Sequence, residues 1–293
     1  MAPARRREAP AAAGRVSRVT AMGRVRVGIG GWVFAPWRRH FYPPGLPQAR
    51  ELEHASRALA AIEINATFHG PQRPESFRRW REATPDGFVF ALKGPRWITH
   101  RRDLGETAAG VARFLDTGVM ELGDRLGPIL WQFAATRRYE PEAMATFLAA
   151  LPRAHGGQAV RHAVEVAHAS FADKRFVGQL RDAGVALALI EAPAAVMLAD
   201  VTADFVYARL KASIATQKLG YPKAALDRWA ARFRAMAGGL PAPDLPCADP
   251  DRAPRPQAHD AFVFFIGGAK QQNPAAAMAL QGRLDAPCGG DRA

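Results

Sequence analysis

Short apolar or β-branched runs alternate along this chain with longer segments in which apolar residues recur every three or four positions. The first pattern suits strands; the second suits amphipathic helices resting on a core. The runs predict strands over residues 25–30, 61–65, 88–92, 128–132, 161–166, 185–190, 204–210 and 260–266. Helices are predicted over 47–60, 74–83, within 106–126, and over 141–151, 174–183, 222–236 and 274–283. Only a short irregular link joins the sixth and seventh strands. Strands that are apolar throughout, rather than alternately, belong to parallel sheets covered by helices. Eight of them spread over residues 25–284 fit a (β/α)8 barrel, which takes about 250 residues. An open doubly wound sheet is the alternative, but Gly28, Gly30 and Gly31 lack the spacing of its phosphate-binding fingerprint. The expected architecture is an α/β, TIM-barrel-like (β/α)8 fold in a single domain over residues 25–285.

The flanks read differently. Residues 1–24 are rich in Ala, Arg and Pro and lack the apolar stretch of a secretory signal, so a disordered arm is expected. Met22, immediately before the first strand, is an alternative start of translation. Residues 237–259 hold Pro241, Pro243, Pro246, Pro250, Pro254 and Pro256, and are expected to form a mobile loop on the N-terminal face of the barrel. Residues 286–293 are expected to fray. The richest apolar stretch, 185–199, is interrupted by Glu191 and Pro193 and falls short of the roughly 18–20 residues of a membrane helix. No membrane partner is expected. Cys247 and Cys288 make neither a disulfide scaffold nor a metal-binding pair, which favours a reducing, cytoplasmic setting.

Charge narrows the partners. The net charge is +13, and arginine supplies 34 of the 40 basic residues. Seven arginines against Glu8 give the first 26 residues +6, leaving +7 for the other 267. Such a balance draws polyanions and anionic ligands; it is also what a codon usage favouring Arg and Ala produces. A small anionic ligand and nucleic acid are the candidate partners. The sequence names no cofactor and carries no signal of oligomeric state.

A barrel places its chemistry where its strands end. Polar residues collect at those ends here: Glu63, Asn65, Thr67 and His69; Lys93, Arg96 and His100; Gln132; Glu165 and His168; Glu191; Arg209 and Lys211; and Lys270 with Asn273. Glu63 and Glu165 are the candidate acid–base pair and His168 a candidate proton relay. Asn65, Thr67, His69, Lys93, Arg96, His100, Gln132, Glu191, Arg209 and Lys211 are candidate ligand-binding residues. A buried Glu63 needs a cationic partner, and Lys93, Arg209 and Lys211 are available. The competing reading of both carboxylates is a pair of ion pairs closing the barrel top. Lys93, Arg96, Arg101, Arg102, Arg209 and Lys211 would form a cationic wall suited to phosphate or carboxylate. Trp32, Trp37, Trp97 and Trp131 would bring flat rings to the same side. Glu63, His69, Glu165, His168 and Glu191 offer metal-binding atoms, but no compact motif such as His-Glu-x-x-His joins them, and no metal site is assigned.

Ordered motifs connect these positions. They are Gly28-Ile-Gly-Gly-Trp32, Trp37 and Phe41-Tyr42-Pro43; Ile62-Glu-Ile-Asn-Ala-Thr-Phe68; Pro74-Glu-Ser-Phe77 with Trp80; and Thr84-Pro-Asp-Gly-Phe88. They continue with Lys93-Gly-Pro-Arg96 and Ile98-Thr-His100; Gly127-Pro-Ile-Leu130 with Gln132; Glu165 and His168; and Thr202, Phe205-Val-Tyr207 and Arg209. In this series the chain resembles the YecE-like family, domain of unknown function 72, over about residues 25–284. The resemblance implies a TIM-barrel-like fold and no established reaction. It also exposes departures. Ala167 stands where the family usually has Arg, Lys211-Ala212 where it has His-Gly, and Glu191 where it has Asp. Ile266-Gly267 replaces an Asn pair, His69 a Tyr and Ala134-Ala135 a Pro pair. All lie at strand ends, so the resemblance implies either a changed substrate or a lost activity.

Three functions are carried forward. The first is a hydrolase-type enzyme acting at the barrel mouth on a phosphorylated or sugar-containing ligand. The second is a nucleic-acid-binding, nuclease-like barrel. The third is a degenerate barrel kept as a non-catalytic binding or scaffold protein.

Overall fold

The computed structural model describes residues 22–192, 196–242, 244–252 and 257–286. Most of the arm (1–21) and the tail beyond Ala286 lie outside the described residues. Eight parallel strands close into a barrel: β1 (Val25–Gly30), β2 (Ala61–Ile64), β3 (Val89–Lys93), β4 (Leu126–Gln132), β5 (His162–Glu165), β6 (Ala186–Glu191), β7 (Phe205–Leu210) and β8 (Asp260–Phe265). Each pairs with its sequence neighbours, and β1 pairs with β8. Helices follow seven of them: α1 (Glu51–Ala58), α2 (Pro74–Glu82), α3 (Thr107–Leu115), α4 (Pro141–Ala149), α5 (Lys174–Ala183), α6 (Lys223–Ala237) and α7 (Asn273–Asp285). The described residues between β6 and β7 form no helix. There Thr202 accepts from Leu187 N–H and donates to Val185 O, plugging the bottom of the sheet.

Local chemistry accounts for the helices. Proline opens α2 and α4, where its missing N–H costs nothing and its fixed φ suits the helix. Asp173 caps α5 by accepting from the N–H groups of Arg175 and Phe176, and Gly184 ends it at φ +69°. Phe176, Val177 and Leu180 then form the buried face.

Two apolar layers result. The larger lies between sheet and helices and contains Trp37 and Trp131, both fully buried. Trp131 donates to His162 Nδ1 (3.1 Å), whose other nitrogen donates to Pro152 O (2.8 Å). Burial lowers the His162 pKa to about 4, so the ring stays neutral. The inner layer is lopsided. Phe205, Tyr207, Phe262 and Phe264 come from β7 and β8, and Ala61, Ala91, Ala163, Ala186 and Ala188 face them. Large rings from two strands fill the space that these alanines leave, beside Val89, Leu130 and Ile190.

The barrel bottom is polar at the seam. Arg26 on β1 pairs with Asp260 on β8 (3.0 Å) and lies over Phe262, and Arg161 reaches Asp260 at 3.7 Å. Gly23 and Arg24 join this end rather than the arm. Gly23 N–H donates to Ala237 O, and Arg24 N–H to Asp260. Expected as mobile, the described part of the Pro-rich loop is instead docked. Asp200 accepts from the N–H groups of Ala248 and Asp249, Arg181 pairs with Asp249, and Lys174 with Asp251 (2.6 Å). No helix among the described residues is long and apolar enough to cross a membrane.

The β1–β2 pairing tolerates no side chain at Gly28, where a Cβ would fall 1.9 Å from the Ala61 carbonyl oxygen. Gly28→Ala is expected to lower the unfolding free energy by about 2 kcal/mol or more, measured by urea denaturation. An unchanged midpoint would mean that these two strands separate without cost.

Candidate functional site

The period-two pleat decides which side chains enter the barrel. Counting inward from Ala61, Ala91, Ala163 and Tyr207, the next inward positions are Glu63, Lys93, Glu165 and Arg209. They form a polar layer directly above the aromatic one. Arg209 is its centre. One guanidinium nitrogen donates to Glu63 Oε1 (3.0 Å) and another to Glu165 Oε2. Tyr207 O–H donates to the second oxygen of Glu63 (2.8 Å). Lys211 Nζ and Gln132 Nε2 both donate to the second oxygen of Glu165 (2.7 Å each). All four carboxylate oxygens are therefore occupied. Glu63, Glu165, Tyr207 and Arg209 are buried.

These contacts set the proton affinities. Burial alone would raise the Glu165 pKa; Arg209 and Lys211 outweigh it and hold the carboxylate down at about 2. Burial and the neighbouring Glu63 push the Tyr207 phenol well above its ordinary range, so it remains a donor. Arg209, despite burial, is held firmly charged by Glu63 and Glu165.

Lys93 is the exception in the ring. The residue is 8% exposed, and its ammonium lies 3.7 Å from the centroid of Phe68. Among the described residues it forms none of the ion pairs that its neighbours form. Burial, then the charges of Arg209 and Lys211, lower its pKa to about 8 against the opposing pull of Glu63 and Glu165.

The remaining candidates divide by position. Thr67 is buried and holds backbone, donating to Lys93 O (2.7 Å), so it fixes the strand end. Asn65 leaves the strand into a one-turn helix (Ala66–His69), its amide near Glu63 O (3.4 Å). His69 and His100 are exposed and set their rings against Phe68 at 5.3 and 5.6 Å. Burial, Lys93 and Arg96 lower the pKa of His100. Arg96 is exposed on a second one-turn helix (Arg96–Thr99). His168 was expected as a proton relay, but its Nδ1 accepts from Ser170 N–H (3.1 Å) and meets Ser170 Oγ (2.9 Å), capping a short turn. Glu191 was expected at the mouth. It follows the inward Ile190, so it points outward and accepts from Tyr221 (2.5 Å) and Trp229 (3.1 Å). The tryptophans do not gather at the mouth either. Trp37 and Trp131 are buried in the outer layer, and Trp32 packs edge-on against Trp80. Among the described residues no three of His, Cys, Asp and Glu gather closely enough to hold a metal ion.

Two contributors were missed in the sequence. Tyr207 lies two residues before Arg209 and so shares its face, a signal that was present. Phe68 carries no charge to draw notice, yet it is the platform under Lys93.

With this geometry in view, the comparisons with known proteins agree. A family profile described as "Protein of unknown function DUF72" matches residues 26–290. The chain belongs to the DUF72 family. The YecE protein of Escherichia coli K12 is 36% identical over 121 residues, a match that spans 41% of this chain and 42% of that protein. A DUF72 family crystal structure from Thermotoga maritima superposes with a TM-score of 0.70 at 20% identity, covering 90% of this chain and all of that one. Another DUF72 structure, from Enterococcus faecalis V583, gives 0.62 at 15% identity, covering 90% and 99%. These likenesses establish the DUF72 barrel. Within it, Ile266 lies at the mouth against the inner layer, and its terminal methyl stands 2.6 Å from where a Cβ on Gly30 would be.

Arg209→Met leaves Glu63 and Glu165 buried without their shared cation. It is expected to cost about 3–5 kcal/mol in chemical denaturation. The folded-state pKa of Glu165 is lowered from 4.5, so its contribution is full above that value and is lost as pH falls from 4.5 toward about 2. In Arg209→Met the acid-induced loss is expected to begin at higher pH, followed by circular dichroism across an acid titration.

Proposed function

We propose that this DUF72 barrel is an enzyme that binds a small phosphorylated or carboxylated molecule at the C-terminal mouth. The observation that carries this reading is the inner ring: three cations, Lys93, Arg209 and Lys211, against two carboxylates, Glu63 and Glu165, with Lys93 outside the ion pairs. A ring with one cation in excess, partly shielded from water, favours an anion. The exposed margin adds Arg96 and His100. Lys211, with its side chain 23% exposed, reaches furthest toward solvent. Hydrolysis of a sugar phosphate or a similar ligand would draw on Lys93 for proton transfer. Glu63 and Glu165, both fully bonded, serve instead to hold Arg209 and Lys211 in place. Inorganic phosphate or pyrophosphate is expected to raise the Tm of the full chain. Lys211→Met should weaken phosphate binding roughly tenfold, about 1.4 kcal/mol, by isothermal titration. No response to phosphate, pyrophosphate or small carboxylates would favour the non-catalytic scaffold.

A second reading rests on a different surface. Trp97 is 39% exposed, with Arg101 and Arg113 each 5.9 Å from its ring. Beside it runs a cleft of about 850 Å³ lined by His100, Arg101, Arg102, Arg137 and Arg138. Cations interleaved with an open ring suit a single-stranded nucleic acid. On this reading, binding of labelled single-stranded DNA falls with log salt at a slope of about −0.7 per phosphate contact, and a chain starting at Met22 binds as the full chain does. Loss of binding with the first 21 residues would assign the attraction to the arm alone.

A further inference from the structure

The six lysines differ in setting, and the difference is chemical. Lys174, Lys218 and Lys223 are exposed, and Lys174 is paired with Asp251. Lys211 is paired with Glu165. Lys270 lies over Phe34 and Trp37, outside the ring. Only Lys93 is both buried and, among the described residues, without a carboxylate at ion-pair distance. Its place is fixed at both ends: Thr67 holds its carbonyl oxygen, and Phe68 supports its ammonium. The charged groups around it are Glu63 from β2, Glu165 from β5, Arg209 and Lys211 from β7 and its end, and Arg96 and His100 from the turn after β3. Two of these are carboxylates already committed to Arg209 and Lys211. Burial, with the neighbouring cations, favours the neutral, nucleophilic form of an amine so placed, against the pull of the two carboxylates.

We propose that Lys93 is a carbonyl-reactive amine, which condenses with a small aldehyde or ketone bearing a phosphate or carboxylate to give a protonated imine. This rests on the anion-binding reading of the mouth and adds the bond that forms there. The neutral amine donates its lone pair to the carbonyl carbon while the C=O π pair moves to oxygen, which takes a proton. The nitrogen releases a proton, giving the carbinolamine. Its hydroxyl takes a second proton, the equivalent of the one the ammonium first gave up to solvent, and leaves as water as the nitrogen lone pair forms C=N. Neutral amine, carbonyl and one proton become protonated imine and water, and no oxidant or reductant is consumed. Protonated, the imine carries its positive charge over Phe68, where the ammonium was, and keeps that contact. The substrate's anionic group lies toward Lys211 and Arg96, the cations nearest solvent. The depressed pKa of Lys93, about 8, leaves a substantial neutral fraction near pH 7.5.

The test is trapping on the full chain at pH 7.5. Glyoxylate, a two-carbon aldehyde with a carboxylate, is added with cyanoborohydride, and the six lysines are mapped by peptide mass spectrometry. Acetaldehyde, similar in size and uncharged, is the comparator. Lys93 is expected to label roughly tenfold or more faster than Lys174, Lys218 or Lys223, in keeping with its lowered pKa. Glyoxylate is expected to outpace acetaldehyde at Lys93 alone, and inorganic phosphate to slow that reaction alone. Lys93→Arg keeps the positive charge and should lose the fast label; the mapping of the unaltered chain stands on its own if this variant folds poorly. Labelling of Lys93 no faster than of the exposed lysines overturns the proposal, even where phosphate raises the Tm and the anion site stands. Fast labelling by both aldehydes with no effect of phosphate upholds the amine and removes the anion site.

Discussion

Everything at the top of this barrel depends on one guanidinium placed between two carboxylates. Arg209 comes from β7, Glu63 from β2 and Glu165 from β5, so the contact spans the interior and ties three separate parts of the wall. Removing charges from water is expensive, and such a cluster persists only because each oxygen finds a donor. Tyr207, Gln132 and Lys211 supply the remaining ones. The lopsided inner layer beneath is part of the same solution. Tyr207 reaches Glu63 because alanines on the opposite wall leave room for a ring to cross.

This arrangement separates stability from reactivity among residues that look alike in composition. Glu165 and Arg209 are locked into single charge states by each other. Lys93 shares their layer but not their pairing, and burial, helped by the cations that complete the frame, loosens its proton. A frame rigid on one side and one adjustable group on the other is how barrels combine a stable scaffold with chemistry at the strand ends.

The barrel was legible because eight apolar runs and seven helical periods are each long enough to register. The lower face of the ring was legible for a simpler reason: alternation along a strand puts Glu63, Lys93, Glu165 and Arg209 inside. What lay past the strand ends was not. Asn65 precedes, and Arg96 opens, a one-turn helix too short for a period to show. Glu191 follows an inward residue and therefore faces α6, a parity fixed by the end of the run at Ile190 and readable only once the register was known. His168 carried a motif position, and its Nδ1 caps its own turn through Ser170, a contact two residues long that no period reveals. The Pro-rich segment read as mobile from its prolines, whereas Asp200, one buried acid distant in sequence, holds part of it down.

The seam has a consequence for synthesis. β1 finds its second partner only in β8, and the Arg24–Asp260 contact joins positions 236 residues apart. On the ribosome, seven strands therefore wait as an open sheet, with the edge of β1 unpaired until the last strand emerges. Unfinished edges invite pairing between nascent chains. Arg26 points inward from that edge, a buried-side charge that stays solvated until Asp260 arrives to neutralise it. The residue that braces the finished barrel at its base is thus also the one that keeps the half-made sheet from joining another.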